Sequence, residues 1–167
     1  KNVHGKEDTL ITIQIDFQLA ERFGMTYVDA EGQTKYPYVI HRTSIGCYER
    51  TLALLLEKYA GALPTWLMPE QVRVLPISDR LIDDAKKVEE QLSRAGIRVS
   101  CDTRSEKVGY KIREAQLEKI PYMLVIGDKE VEEGTVSVRS RKEGDLGSMP
   151  VEGFLSKILQ EIATKAK

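Results

Sequence analysis

The stretch VIHRTSIGCYERTLALLLE, residues 39–57, sets the charged pair Glu49–Arg50 at the head of a leucine-rich segment. An unpaired guanidinium buried among apolar groups costs roughly several kcal/mol, so Arg50 requires a partner. Gly46 reads as the N-cap of a helix over about 47–59, which places Glu49 at the third helical position, where a carboxylate can reach free backbone N–H groups. Arg50 then lies at the positive end of the helix, and its natural counterpart is an anion. Two readings stay open: a carboxylate of the same chain, or a bound phosphate or carboxylate that small Cys47 lets approach. The leucines are expected to anchor the helix in a core.

His41 ends the apolar run Tyr38–Ile40, where a histidine is ordinarily structural. Zinc needs three or four ligands, and the residues themselves present no matching cluster around His41 or around His4, which sits in the polar opening KNVHGKEDT. Further along, Arg104, Lys107, Lys111 and Arg113, then Arg139, Arg141 and Lys142, form basic clusters. Glu106, Glu114, Glu130, Glu132 and Glu133 interleave with them. A solvated helix face accounts for such mixing. So does a nucleic-acid surface, where lysines and arginines hold phosphates while carboxylates and amides read the edges of unstacked RNA bases. The loop Pro76–Ile77–Ser78 has no glycine and makes a poor phosphate cradle. The segment RKEGDLG (141–147) reads as a charged loop.

The elements that must position these residues follow from periodicity. TLITIQIDF (9–17) alternates as a half-buried strand. Met25–Val28 and Tyr36–Ile40 read as a hairpin closed at Asp29–Gly32, and LPTWLMP (63–69) is a proline-marked connector. Beyond it come a strand at Val72–Leu75, a helix after Ser78 with Leu81, Ile82, Ala85, Val88, Leu92 and Ala95 inward, and a strand at Ile97–Cys101. A helix over about 108–120 with Ile112, Leu117 and Ile120 inward follows, then the apolar strand YMLVI (122–126). Glu132–Gly134 turn the chain into a strand at Thr135–Arg139, and a last amphipathic helix begins near Pro150. This βαβαβ order predicts an α/β fold with a partly parallel sheet, preceded by an α+β piece. The domain boundary is placed at residues 68/69.

With 167 residues and a formal net charge of −1, any nucleic-acid contact must be a local patch. No apolar run reaches the length of a membrane span, and no signal peptide opens the chain. The two cysteines, Cys47 and Cys101, suit a reducing, cytoplasmic setting. A start at Lys1, close to a strand, suggests a piece of something longer.

Several segments together resemble the threonyl-tRNA synthetases, specifically their carboxy-terminal portion, from about Thr12 to Ile162. They are TIQIDF (12–17), ERFGMTYVD (21–29), VIHR…GCYER (39–50), YAGALPTWLMPEQV (59–72), VLPISD (74–79), AGIRV (95–99), GYKIREAQLEKIPYMLVIGDKEVEEGTVSVR (109–139) and DLGSM (145–149). The resemblance implies the end of a class II catalytic domain (1–68) and an anticodon-binding domain (69–167). It identifies Gly46, Glu49 and Arg50 with motif 3, so Arg50 and Gly46 are expected to meet ATP with its Mg2+. It makes His41 one of three zinc ligands that recognise threonine, and puts Gln14 in the amino-acid pocket. Glu130 and Arg139 fall on anticodon-reading positions, and Ser105 where relatives often carry asparagine. The other zinc ligands and motifs 1 and 2 lie upstream in that family and are absent from this sequence. The resemblance thus implies a threonine–tRNA ligase, homodimeric as a whole and acting on threonine, ATP and tRNA(Thr). This chain alone is expected to be inactive yet to retain anticodon recognition. The alternatives are a stand-alone RNA-binding module and a fragment of a prolyl-type class II synthetase, which uses no zinc for its amino acid.

Overall fold

The computed structural model describes residues 1–7 and 9–166. The chain divides into two compact units, Lys1–Ala60 and Gly61–Lys167.

In the first unit, strand β1 (Ile13–Asp16) pairs antiparallel with β4 (Val39–Arg42), and the short helix α1 (Leu19–Arg22) follows β1. Strands β2 (Tyr27–Val28) and β3 (Thr34–Lys35) form the hairpin. The expected hairpin arm at Tyr36–Ile40 is therefore misplaced. Asp29 accepts the backbone N–H groups of Glu31 (3.0 Å) and Gln33 (2.8 Å) and meets Lys35 Nζ at 2.5 Å, which closes the hairpin earlier and frees residues 39–42 to pair with β1. Helix α2 (Tyr48–Tyr59) ends at Ala60 in the left-handed conformation. The alternation of Ile13 and Ile15 is real, and Ile15 faces Ile40 across the ladder, but all three are exposed. No residue of α2 is buried either, so the expectation of leucines anchored in a core fails. Among the described residues of this unit, Ala20 alone is buried.

The second unit is organised around a five-stranded sheet of order β6-β5-β7-β8-β9. β5 (Val72–Pro76), β6 (Val99–Cys101) and β7 (Tyr122–Ile126) are parallel; β8 (Thr135–Ser140) and β9 (Gly144–Pro150) run antiparallel. Helices α3 (Ile82–Arg94), after a 3-10 turn at Asp79–Leu81, and α6 (Val151–Ala163) cover one face. Their Ala85, Leu92, Phe154 and Ile158 pack on Val72, Val74, Tyr122, Leu124, Val136 and Val138. Helix α4 (Val108–Leu117) packs against β5 on the other face, where Leu75 and Met123 are buried. The inward side of α4 is Lys111 and Ala115, whereas Leu117 is 71% exposed. Of the expected inward stripe, Ile120 is buried and Ile112 half-buried, but Leu117 points outward because Lys111 and Ala115 set the inward face of the helix.

Two elements of this unit escaped the sequence reading, as did the short helix α1 in the first unit. Helix α5 (Asp128–Glu133) carries no buried residue and so shows no apolar stripe. β9 contains Gly144 and Gly147, both at positive φ, and pairs with β8 through a bulge at Val138/Arg139, which disguises its alternation.

The connector belongs to the C-terminal unit, which begins at Gly61, eight residues before the expected boundary. Leu63, Thr65, Met68 and Gln71 are buried. Arg141 donates to the carbonyls of Lys119, Ala62 and Leu63, and Arg98 to those of Trp66 and Met68. Glu161 accepts both the Thr65 hydroxyl (2.5 Å) and the Tyr122 hydroxyl (2.6 Å). Charged donors on backbone carbonyls thus add to the apolar packing of Leu63 and Met68 in holding this segment.

Candidate functional site

In the N-terminal unit the β1–β4 register sets Gln14 directly opposite His41. Both line an open depression of about 470 Å³ with Ile15, Asp16, Phe17 and Gln18. His41 Nε2 lies 4.0 Å from Asp16 Oδ2. The other Asp16 oxygen accepts the backbone N–H groups of Gln18 and Leu19 at 2.8 Å each. The Leu19 and then the Gln18 bond hold this carboxyl below the usual carboxylate range. No group of three or more His, Cys, Asp or Glu able to hold a metal exists among the described residues. The residues present therefore do not by themselves fit a zinc ion.

The start of α2 differs from the expected cap. Cys47 is the N-cap, so Glu49 stands at the second helical position rather than the third. Gly46 precedes the cap at φ +78, and a Cβ there would lie 1.8 Å from the carbonyl oxygen of Leu10. Glycine is required here for a close backbone passage. The Cys47 thiol donates to Glu49 Oε2 at 3.0 Å and, with the backbone N–H at Glu49, lowers that carboxyl's pKa. Arg50 is exposed, so the burial cost that prompted the search for its partner does not arise. Its Nη1 donates to the Thr9 carbonyl at 2.9 Å. No carboxylate pairs with it among the described residues.

In the C-terminal unit the polar residues gather where the parallel strands end. Ser105 donates to Asp79 Oδ2 at 3.0 Å, tying the loop after β6 to the turn after β5. Arg80 meets Asp128 at 2.5 Å, tying that turn to the start of α5 after β7. Glu130, on α5, accepts the Gly127 N–H through Oε2 at 3.0 Å and the Ser148 hydroxyl through Oε1 at 3.3 Å. A Cβ on Gly127 would lie 2.8 Å from Glu130 Oε2, so the bare glycine lets this carboxylate fold back as a cap. The crossovers leave β5 toward β6 on one side and reach β7 on the other. That divergence is a topological switch point, where open α/β sheets take their ligands. Arg139 lies apart, in mid-β8 opposite Met123, and meets Asp145 at 3.1 Å. The structure thus brings Ser105 and Glu130 to the carboxyl end of the parallel strands, and each of the three residues has its own partner.

Several of the basic residues are occupied internally. Arg104 grips Asp102 through two nitrogens (2.9 and 2.6 Å) and Glu114 at 2.5 Å. Lys111 and Arg141 are spent on carbonyls, while Lys107 and Arg113 are exposed. Sequence reasoning missed Asp79, Asp102 and the inward Lys111. The Val108–Lys111–Ala115 spacing, one helical face, was the available signal for the lysine.

The Arg104 bonds hold the Asp102 carboxyl below its ordinary 3.8. A folded-state pKa below the unfolded one contributes stability above the unfolded value, and that contribution is lost as pH falls through the folded value. The C-terminal unit is therefore expected to weaken on acidification below about pH 4. Asp102→Asn should flatten that slope, as read by denaturant midpoints measured across the acid range.

This sheet with its cross-linked loops is that of an anticodon-binding domain. Residues 71–161 match the family model described as "Anticodon binding domain", and residues 2–59 match that of the "tRNA synthetase class II core domain (G, H, P, S and T)". The chain belongs to the anticodon-binding domain family, with a class II synthetase core segment before it. The particular relatives are threonine–tRNA ligases. The chain is 64% identical over 165 residues to the enzyme of Clostridium perfringens, covering 99% of this chain and 26% of that one. It is 57% identical over 155 residues to that of Caldanaerobacter subterraneus, covering 93% of this chain and 24% of that one. The chain thus spans about a quarter of these relatives' length. A solved structure, the RNA-binding domain of threonyl-tRNA synthetase from Cryptosporidium parvum, superposes with a TM-score of 0.81 at 36% identity, covering 95% of this chain and 40% of that one.

Proposed function

We propose that this chain is the anticodon-reading portion of a threonine–tRNA ligase, joined to the end of its class II catalytic domain. The whole enzyme activates threonine with ATP and Mg2+ and transfers it to tRNA(Thr), as a homodimer in the cytoplasm. The observation that carries the reading is the carboxyl end of the parallel strands, where Ser105 and Glu130 are held in place within a domain of the anticodon-binding family. Glu130 can accept from a base edge, Arg139 can donate to one, and Ser105 can do either. Arg50, exposed at the head of α2 without a carboxylate partner among the described residues, is assigned to ATP, with Gly46 shaping the backbone beside it. Gln14 and His41, facing each other across β1 and β4, are assigned to the threonine pocket, with His41 as a single zinc ligand. No helix of the described residues is long and apolar enough to cross a membrane.

The test is equilibrium binding of tRNA(Thr) to the chain. Binding is expected, with Arg139→Ala weakening it about tenfold or more, since a good base contact is worth about 1–3 kcal/mol. The same preparation should form no Thr-tRNA, because the residues here supply a single zinc ligand and a single ATP-facing arginine. Absence of tRNA binding, or Thr-tRNA formation by this chain alone, would contradict the assignment.

A further inference from the structure

On the sheet face covered by α3 and α6, a depression of about 370 Å³ opens between α3, α5 and the start of α6. Its floor is apolar: Ile126 is buried, Val88 and Val151 lean on the core, and Val131 of α5 is 39% exposed. Its rim carries three carboxylates, Asp84, Glu130 and Glu152, against one ammonium, Lys87. Lys87 meets one oxygen of Asp84 at 2.7 Å, and the Gln91 amide donates to one oxygen of Glu152 at 2.8 Å, so each of these carboxylates keeps a second oxygen. The hydroxyl of Thr135, in the same lining, is buried and has no hydrogen-bond partner among the described residues. Pro150, opposite it in the β8–β9 ladder, has no N–H to give it. A desolvated hydroxyl without a partner costs stability unless something bonds to it. A concave apolar site of this size, with a few polar groups at fixed places, has the makeup of a small-molecule pocket.

We propose that this depression binds a small organic cation, with an apolar body that carries an ammonium at one end and a hydroxyl or carbonyl oxygen at the other. The body covers Val88, Val131 and Val151 and removes their exposed apolar surface from water. The ammonium is drawn to the excess negative charge of the rim, where the second oxygens of Asp84 and Glu152 accept from it. The oxygen meets Thr135, whose hydroxyl can donate or accept. An anion of the same shape meets like charge at the rim and is rejected. This site does not depend on the tRNA-reading role, and the substitutions that test it leave Ser105, Glu130 and Arg139 untouched.

The test titrates the full chain with tyramine, which holds a phenol oxygen and an ammonium at opposite ends of an aromatic body. Two controls change one feature each: phenethylamine lacks the phenol oxygen, and hydroxyphenylpropionate carries a carboxylate in place of the ammonium. Amide NMR shifts report both occupancy and place. Tyramine is expected to shift the amides of Val88, Val131 and Val151 saturably, with a dissociation constant on the order of 1 mM for a fragment of this size. Phenethylamine should bind about fivefold more weakly, and hydroxyphenylpropionate should leave these amides unmoved. Thr135→Val should cancel the advantage of tyramine while leaving phenethylamine binding unchanged. Asp84→Asn combined with Glu152→Gln should weaken both amines about fivefold. No saturable shift with tyramine, equal shifts from tyramine and hydroxyphenylpropionate, or binding that survives all three substitutions would overturn the assignment and leave the tRNA reading as it stands.

Discussion

Glu130→Gln is expected to leave the C-terminal unit folded and to lower its affinity for tRNA(Thr) by about tenfold or more. The two roles of this carboxylate separate in that substitution. As a cap, Glu130 needs only an oxygen for the Gly127 N–H, which an amide retains. As a base reader it needs an acceptor without a competing donor, and half of the glutamine head group is a donor. Glu130→Ala removes both, and should add a stability loss of about 1 kcal/mol from the vacated helix start. Denaturation midpoints and binding isotherms for the two variants distinguish the roles. If Gln binds as the unsubstituted protein does and Ala is merely less stable, Glu130 is a cap and nothing more.

The second large effect is on stability. Phe154 is completely buried, and its ring meets that of Tyr122 edge-on with centroids 5.4 Å apart. Phe154→Ala should cost about 3–5 kcal/mol, a large part of the roughly 5–15 kcal/mol that holds a typical domain together. Tyr122 passes the loss on, because its hydroxyl bonds Glu161, which also holds Thr65 of the connector. Trp66, the one tryptophan of the sequence, sits in that connector beneath Lys165 and reports the transition by fluorescence. A midpoint shift equivalent to less than about 1 kcal/mol would mean that the site collapses around the missing ring.

The contrast between the two units explains how far the sequence could be read. In the C-terminal unit the stripe of α3 and the run YMLVI state their burial directly, and the parallel part of the sheet follows from the order of elements. What stayed hidden there is what periodicity cannot carry. α5 exists through a glycine and a folded-back carboxylate, β9 through a bulge, and the inward face of α4 through a lysine satisfied by two carbonyls. In the N-terminal unit the period of β1 was legible but its burial was not. Ile13, Ile15 and Ile40 alternate as core residues do, yet they are exposed. Alternation reports which residues share a face; it does not report what covers that face. The pairing of Gln14 with His41 depended on strand register, which here was set by a turn at Asp29 that closes earlier than expected.

The central claim is that the C-terminal unit reads an anticodon, and competition for tRNA tests it most directly. Labelled tRNA(Thr) bound to the chain is challenged with unlabelled tRNA(Thr), and separately with the same tRNA carrying a substituted anticodon, at one fixed salt concentration. The unaltered competitor is expected to displace the label at a concentration at least about tenfold lower than the substituted one. Equal displacement by both would mean that the unit holds only the RNA backbone, and would contradict it.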